Sequence, residues 1–272
     1  MRIIKRVRSV AKFFITQRIK GFPPPQTPMM DGPSLARFRQ ELAKCRFYLE
    51  FGSGGSTVEA DRADIPGISV ENDPYYHQAV RAALKDGTQI RLCTVDIGTT
   101  KGGGRPLFSK PTERRIAVWR RYVEAPFPII RQQGEFPDFV LVDGRFRVAC
   151  AIETARQARE MGAATLIMLD DYEGRPHYHE LERWLGEPEL VGRAAYFRPS
   201  AQGESISASA VEKCLADWRR RPCAKAGAAS AGWQEPRVVD GRDAWAGGPS
   251  RQARGNEGNT RPIVGAILRP GN

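Results

Sequence analysis

Tyr48-Leu49-Glu50-Phe51-Gly52-Ser53-Gly54-Gly55-Ser56-Thr57 carries the most specific local pattern in the chain. A short apolar run suited to one buried strand carries a carboxylate near its end, enters a glycine-rich turn, and continues into a helical pattern. Glycine at 52, 54 and 55 lets the backbone approach a ligand that a Cβ would block. Outward from this turn the periodicity changes repeatedly between short apolar runs and longer amphipathic ones. The short runs predict strands at 47–51, 68–71, 90–95, 139–142, 166–169 and 194–197. Helices are expected at 33–44, 57–63, 75–85, 112–123, 147–161 and 178–185. That succession predicts an α/β fold, a doubly wound, Rossmann-like and mostly parallel sheet with helices on both faces.

The chain has 272 residues, which fits one domain with extensions at about 100–200 residues per domain. The reading assigns residues 1–26 to a basic amphipathic helix and a proline-rich linker, 27–220 to the catalytic domain, and 221–272 to a disordered low-complexity tail. A hydrophobic fraction of 41% is enough for a core. Much of the net charge of +11 is contributed by Arg2, Lys5, Arg6, Arg8, Lys12, Arg18 and Lys20, with no acid before Asp31. A nucleic-acid binder would spread such charge over its folded surface among exposed aromatics, so no nucleic-acid partner is expected. The segment 1–20 either lies on an anionic membrane surface or packs on the domain with its basic face solvated. The five cysteines form no CxxC pair and no zinc-like spacing with His77, His177 and His179, which points to a reducing cytoplasm. No stretch approaches the roughly 20 apolar residues of a membrane span. The loop 97–111, with its Gly102-Gly103-Gly104 run, is either a lid over an anionic acceptor or a mobile insertion.

The turn departs from a dinucleotide fingerprint, because Thr57 stands where glycine or alanine is wanted and the Glu50 carboxylate would repel a pyrophosphate. Glu50 would instead attract an ammonium group, directly or through water. The second strand ends at Glu71, about 20 residues after the turn, where a carboxylate takes ribose hydroxyls. Asp96, at the end of the third, can accept from an adenine amino group. Any one of these acids could equally cap a helix, but three at successive strand ends point to a nucleoside ligand.

Residues 47–198 resemble the class I S-adenosylmethionine-dependent methyltransferases. The resemblance implies S-adenosylmethionine as cofactor, with Gly52, Gly54 and Gly55 along its methionyl part, Glu71 on the ribose and Asp96 near the adenine. The fourth strand ends Val142-Asp143-Gly144-Arg145-Phe146-Arg147 and the fifth Leu169-Asp170-Asp171, a pairing similar to the catechol O-methyltransferase type. It implies Asp143, Asp170 and Asp171 as ligands of a magnesium-type ion. Asp171 replaces an amide of that group, and Phe146 replaces its lysine base. The other reading of Asp143 and Asp170 is that they orient the acceptor or cap the following helices. Asp143, His177 and His179 are the candidate bases for a hydroxyl acceptor. Arg145, Arg147 and Arg175 suit an anionic acceptor or are simply solvated. The function expected is O-methylation of a small molecule or glycan. The alternatives are a non-catalytic adenosyl-ligand or partner-binding module with the same fold, and a nicotinamide-dependent oxidoreductase, which Glu50 and Thr57 disfavour.

Overall fold

The chain divides into two units, Met1–Cys223 and Ala224–Asn272, and the computed structural model describes residues 11–199 and 205–218 of the first. The first ten residues of the basic segment and the tail from 221 onward therefore lie outside the described residues. Within them the elements run α1 (Gly32–Leu42), β1 (Tyr48–Phe51), α2 (Gly55–Arg62), β2 (Gly67–Glu71), α3 (Pro74–Arg81) and β3 (Ile90–Thr94). A small hairpin, β4 (Thr100–Lys101) and β5 (Arg105–Pro106), leads to α4 (Glu113–Glu124), α5 (Phe127–Gln133), β6 (Phe139–Val142) and α6 (Arg147–Glu160). After β7 (Leu166–Leu169) come a 3-10 turn (Pro176–Leu181), α7 (Glu182–Leu185), β8 (Glu189–Val191), β9 (Ala194–Phe197) and α8 (Ala208–Asp217).

Seven strands form one sheet in the order β3-β2-β1-β6-β7-β9-β8. The β3-β2-β1-β6-β7 pairings are parallel, whereas β9 runs antiparallel to both β7 and β8. Alternation along the strands divides the core between the two faces. Leu49, Phe51, Val140, Val142, Ile167 and Leu169 face α4, α5, α6 and α8, where Trp119, Tyr122, Ile130 and Leu215 meet them. Tyr48, Phe139, Leu141, Leu166 and Met168 face α1 through Phe38 and Leu42. Because both faces are covered, these strands read as continuous apolar runs.

The chain leaves β1 in one direction to build β2 and β3 and returns to build β6 and β7 on the other side. The crevice at the carboxyl ends of β1 and β6 is thus the switch point where ligands of such sheets bind. Backbone pairing continues to its rim, with Gly52 N donating to Val70 O at 2.8 Å and Asp143 N to Phe51 O at 3.0 Å.

The loop 97–111 holds the β4-β5 hairpin, and Asn72 Nδ2 donates to Gly104 O at 3.2 Å. Residues 11–20 are helical, ending in a wider π turn (Thr16–Lys20). They pack on α3, where buried Gln17 donates to Asp73 Oδ2 at 2.7 Å and Arg18 lies over Tyr75. Residues 22–31 then strap across the carboxyl edge of the sheet, with Phe22 edge-on to Tyr76 and Thr27 against Gly55.

Candidate active site

The glycine turn is braced from behind by Glu50. This carboxylate is fully buried and accepts from four hydroxyls: Tyr48 at 3.0 Å, Ser56 at 2.5 Å, Ser69 at 2.6 Å, and Thr57. Thr57 Oγ1 also accepts from Gly54 N at 2.8 Å, so one residue ties the carboxylate to the turn. Burial pushes the Glu50 carboxyl up, against the pull of these donors. The expectation that Glu50 meets an ammonium group is therefore corrected: its lone pairs are taken by the protein, and its work is to hold the turn.

The three glycines serve different neighbours. Gly52 has φ +98°, and a Cβ there would fall 2.6 Å from Gly144 Cα, so Gly52 and Gly144 let β1 and β6 close at the switch point. A Cβ on Gly55 would lie 2.0 Å from the Thr27 carbonyl carbon. The space expected for a methionyl group at Gly55 is thus taken by the strap. Gly54 alone of the three has ordinary room beside it, where Tyr76 Oη would be 3.4 Å from an added Cβ.

Glu71 is buried at the end of β2, and it accepts from Asn72 N at 2.7 Å, Asp73 N at 2.8 Å and Ser53 N at 3.2 Å. Burial pushes its carboxyl up to about 7 despite these three donors. Asp96 lies exposed past the end of β3 and accepts from Gly98 N at 2.7 Å. Tyr76, which sequence reading missed, faces this space from the first turn of α3. Burial pushes its hydroxyl up to about 12, with Glu71, Glu50 and Asp143 adding to the shift, and its oxygen lies beside Gly54 of the glycine turn. Its signal in the sequence is an aromatic two residues after Pro74, at the helix start following Glu71. His77, next in the chain, is buried; burial, with Arg81 adding, lowers it to about 4, so it is neutral and structural.

Beyond Gly144 opens a cleft of about 1030 Å³, with Asp143, Asp170 and Asp171 at its floor. One carboxylate oxygen from each of the three lies within 4.8 Å of the others. Each is nevertheless held by arginine. Arg147 meets Asp143 at 2.5 Å and Asp171 at 3.3 Å, and Arg175 meets Asp171 at 2.6 Å. Arg193 meets Asp170 at 2.8 Å and Asp171 at 3.1 Å. Three guanidinium charges answer three carboxylates, so a divalent cation here would compete with fixed positive charge at van der Waals range. This donor set does not fit a magnesium-type ion, and the metal-ligand expectation for Asp143, Asp170 and Asp171 is corrected on that ground. Arg193 was not foreseen, because only the antiparallel return, with Ala195 opposite Leu169, carries it beside Asp170.

Burial pushes the Asp143 carboxyl up to about 6, outweighing Arg147, while Asp170 and Asp171 add to the rise. His177 lines the same cleft. His179 does not: its ring stacks flat on Tyr172 at 4.7 Å on the exposed side of the 3-10 turn, so it is withdrawn as a base. Phe146, at the position of the absent lysine, is buried and stacks on Trp119 at 5.2 Å. Phe146 and Asp171 both have positive φ, +55° and +58°, and both line the cleft. Such left-handed backbone costs on the order of 1 kcal/mol in non-glycine residues and collects at functional sites. Of the arginines considered from the sequence, Arg147 and Arg175 are committed to carboxylates, whereas Arg145 is not.

No protein-family model matches the chain, and no curated protein does. Among solved structures, a methyltransferase-like protein from Silicibacter pomeroyi is 30% identical, with 70% of this chain and 96% of that one aligned at a TM-score of 0.58. A Podospora anserina methyltransferase solved with SAH is 15% identical over 51% of this chain and 52% of its own, at a TM-score of 0.33. A methyltransferase of the mycinamycin biosynthetic pathway, solved with Mg and SAH, is 14% identical over 65% of this chain and 50% of its own, at a TM-score of 0.37.

Proposed function

The chain belongs to the class I S-adenosylmethionine-dependent methyltransferases, and on that premise we propose that it methylates a hydroxyl group of a small molecule or glycan held in the Asp143 cleft. The observation that carries the proposal is the pair of carboxylates on either side of the Gly52–Gly144 contact. Glu71 stands on the nucleoside side and Asp143 on the acceptor side, and the Tyr76 hydroxyl feels both.

Bound S-adenosylmethionine would supply an electrophilic methyl group. Glu71 would accept from its ribose hydroxyls, Gly54 would admit its methionyl part, and Asp96 would reach the adenine. Across the switch point the cleft would hold the acceptor oxygen in line behind the methyl group. Asp143 or His177 would take the hydroxyl proton as the acceptor oxygen takes the methyl group and S-adenosylhomocysteine is left. Positioning supplies much of the rate of such a displacement, up to about 7–11 kcal/mol for well-aligned groups. The arginine pairs suit that task, since they lock the carboxylates of the cleft floor in place.

The reading as a non-catalytic adenosyl-binding module has one observation in its favour, the ion pair that ties Asp143 to Arg147. Calorimetric titration with S-adenosylmethionine and with NAD, repeated on Glu71→Ala, tests the cofactor. Micromolar-range binding of the former alone, lost in the variant, supports the proposal, and binding of NAD in its place refutes it.

No helix among the described residues is long and apolar enough to cross a membrane. We further propose a cytoplasmic enzyme that touches the inner face of an anionic membrane through residues 1–20. Ile15 and Ile19 are 46% and 78% exposed on the described part of that helix, with Lys12, Arg18 and Lys20 also exposed along it. Equal flotation with anionic liposomes before and after deletion of residues 1–22 would remove this part of the reading.

A further inference from the structure

Five arginines reach the acceptor cleft, and they are not equivalent. Arg147, Arg175 and Arg193 are spent on Asp143, Asp170 and Asp171. Arg145 and Arg105 have no carboxylate partner among the described residues. The charged groups acting on Arg145 include two further cations, Arg147 and Arg105. Three guanidinium groups line one cleft and repel each other, and among the described residues only Arg147 is answered by carboxylates. A partly buried cation in that position is stabilised when an anion joins it.

A second feature points the same way. Arg145 lies just before α6, a helix of 14 residues with no acid in its first turn and no side chain capping its N-terminus. Val148 and Ala149 of that turn line the cleft, so the positive end of the helix opens into it. The hairpin that carries Arg105 is held toward the sheet edge by the Asn72 bond to Gly104.

We propose that Arg145, assisted by Arg105, binds an oxyanion of the methyl acceptor, so that the substrate is an acidic small molecule carrying a carboxylate or a phosphate near the hydroxyl to be methylated. This rests on the cleft being the acceptor side of the site. Arg145 then sets which molecules enter, while the paired arginines keep the floor rigid.

The test is calorimetric titration of the full chain, with and without saturating S-adenosylhomocysteine, using inorganic phosphate in one series and acetate in the other. One of the two anions should bind in the millimolar range, and Arg145→Gln and Arg105→Gln should each weaken it by about tenfold or more, as expected for a lost charge-assisted hydrogen bond. Binding of phosphate assigns a phosphorylated acceptor, and binding of acetate a carboxylic acid. Arg105 is exposed on its hairpin, so its replacement reads out binding without loss of the fold. No binding of either anion to the wild type, or binding by both variants as tight as by the wild type, overturns the proposal. S-adenosylhomocysteine titrated into the same samples separates the two claims. A chain that binds anion through Arg145 but no S-adenosylhomocysteine refutes the cofactor assignment and leaves the anion site standing.

Discussion

On the proposed site, Glu71 should make the affinity for the adenosyl ligand depend on pH. Its carboxyl is pushed from an ordinary 4.5 to about 7 by burial, although three backbone N–H groups already favour the ionised form. Ribose hydroxyls donate more strongly to the carboxylate than to the protonated acid, which keeps only part of its acceptor capacity, so binding should favour ionised Glu71. Affinity should be full above pH 7 and fall as pH drops through that value. With a pKa of about 7, roughly nine-tenths of the free protein is competent at pH 8 and roughly one-tenth at pH 6, a loss of about tenfold or about 1.4 kcal/mol. The sign for stability of the free protein is the reverse of that for a salt-bridged acid. Between 4.5 and about 7 the folded state keeps a proton that the unfolded state releases, so stability declines as pH rises through that window. Calorimetric titration with S-adenosylhomocysteine at pH 6 and pH 8, on wild type and on Glu71→Gln, reads the effect. Glu71→Gln should bind more weakly at both values and lose the pH slope. Equal wild-type affinities at the two values, or a slope that survives in Glu71→Gln, would show that Glu71 does not hold the ligand.

Asp143→Asn should lower kcat by about 10²–10⁴, the usual worth of a general base, while S-adenosylhomocysteine still binds; unchanged turnover would place the base elsewhere. Since Asp143 is pushed up to about 6, the wild-type rate should fall as pH drops below that value, and the acid limb should be missing in the variant. Prolonged treatment with a chelator should leave turnover intact, because three arginines already answer the acids of the cleft floor; loss of activity restored by magnesium would contradict this. Gly144→Ala puts a Cβ 2.2 Å from Tyr122 Oη and 2.8 Å from Gly52 N. It should cost about 1–3 kcal/mol in urea unfolding as an overpacked contact, and a wild-type midpoint would show that β1 and β6 do not close on this glycine.

The fold is legible in the sequence where a local pattern decides it. Runs such as Phe139–Val142 and Leu166–Leu169 are apolar on both faces because both faces of the sheet are covered, and the helices between them carry their own period. β8 escapes such reading because three residues, mostly exposed at the sheet edge, show no period. α5 escapes because seven residues between Pro126 and Gly134 are too few for one. The acids are legible as acids, but their partners are not. The hydroxyls that saturate Glu50 come from β1, α2 and β2, and of the arginines that hold Asp170 and Asp171 only Arg175 is local, four residues after Asp171, while Arg147 and Arg193 come from α6 and the β8-β9 turn. No spacing rule connects residues that meet only after the sheet has closed. A carboxylate at a strand end is equally compatible with a ligand, a metal and an arginine, and only the assembled site distinguishes them.

A crystal structure of the chain with S-adenosylhomocysteine would locate the proposed site. The ligand should lie across the carboxyl ends of β1–β3, with its ribose hydroxyls on Glu71, its methionyl part beside Gly54 and its sulfur directed toward Asp143. A ligand lodged elsewhere with Glu71 untouched, or crystals grown at saturating ligand with nothing bound at that edge, would contradict that placement.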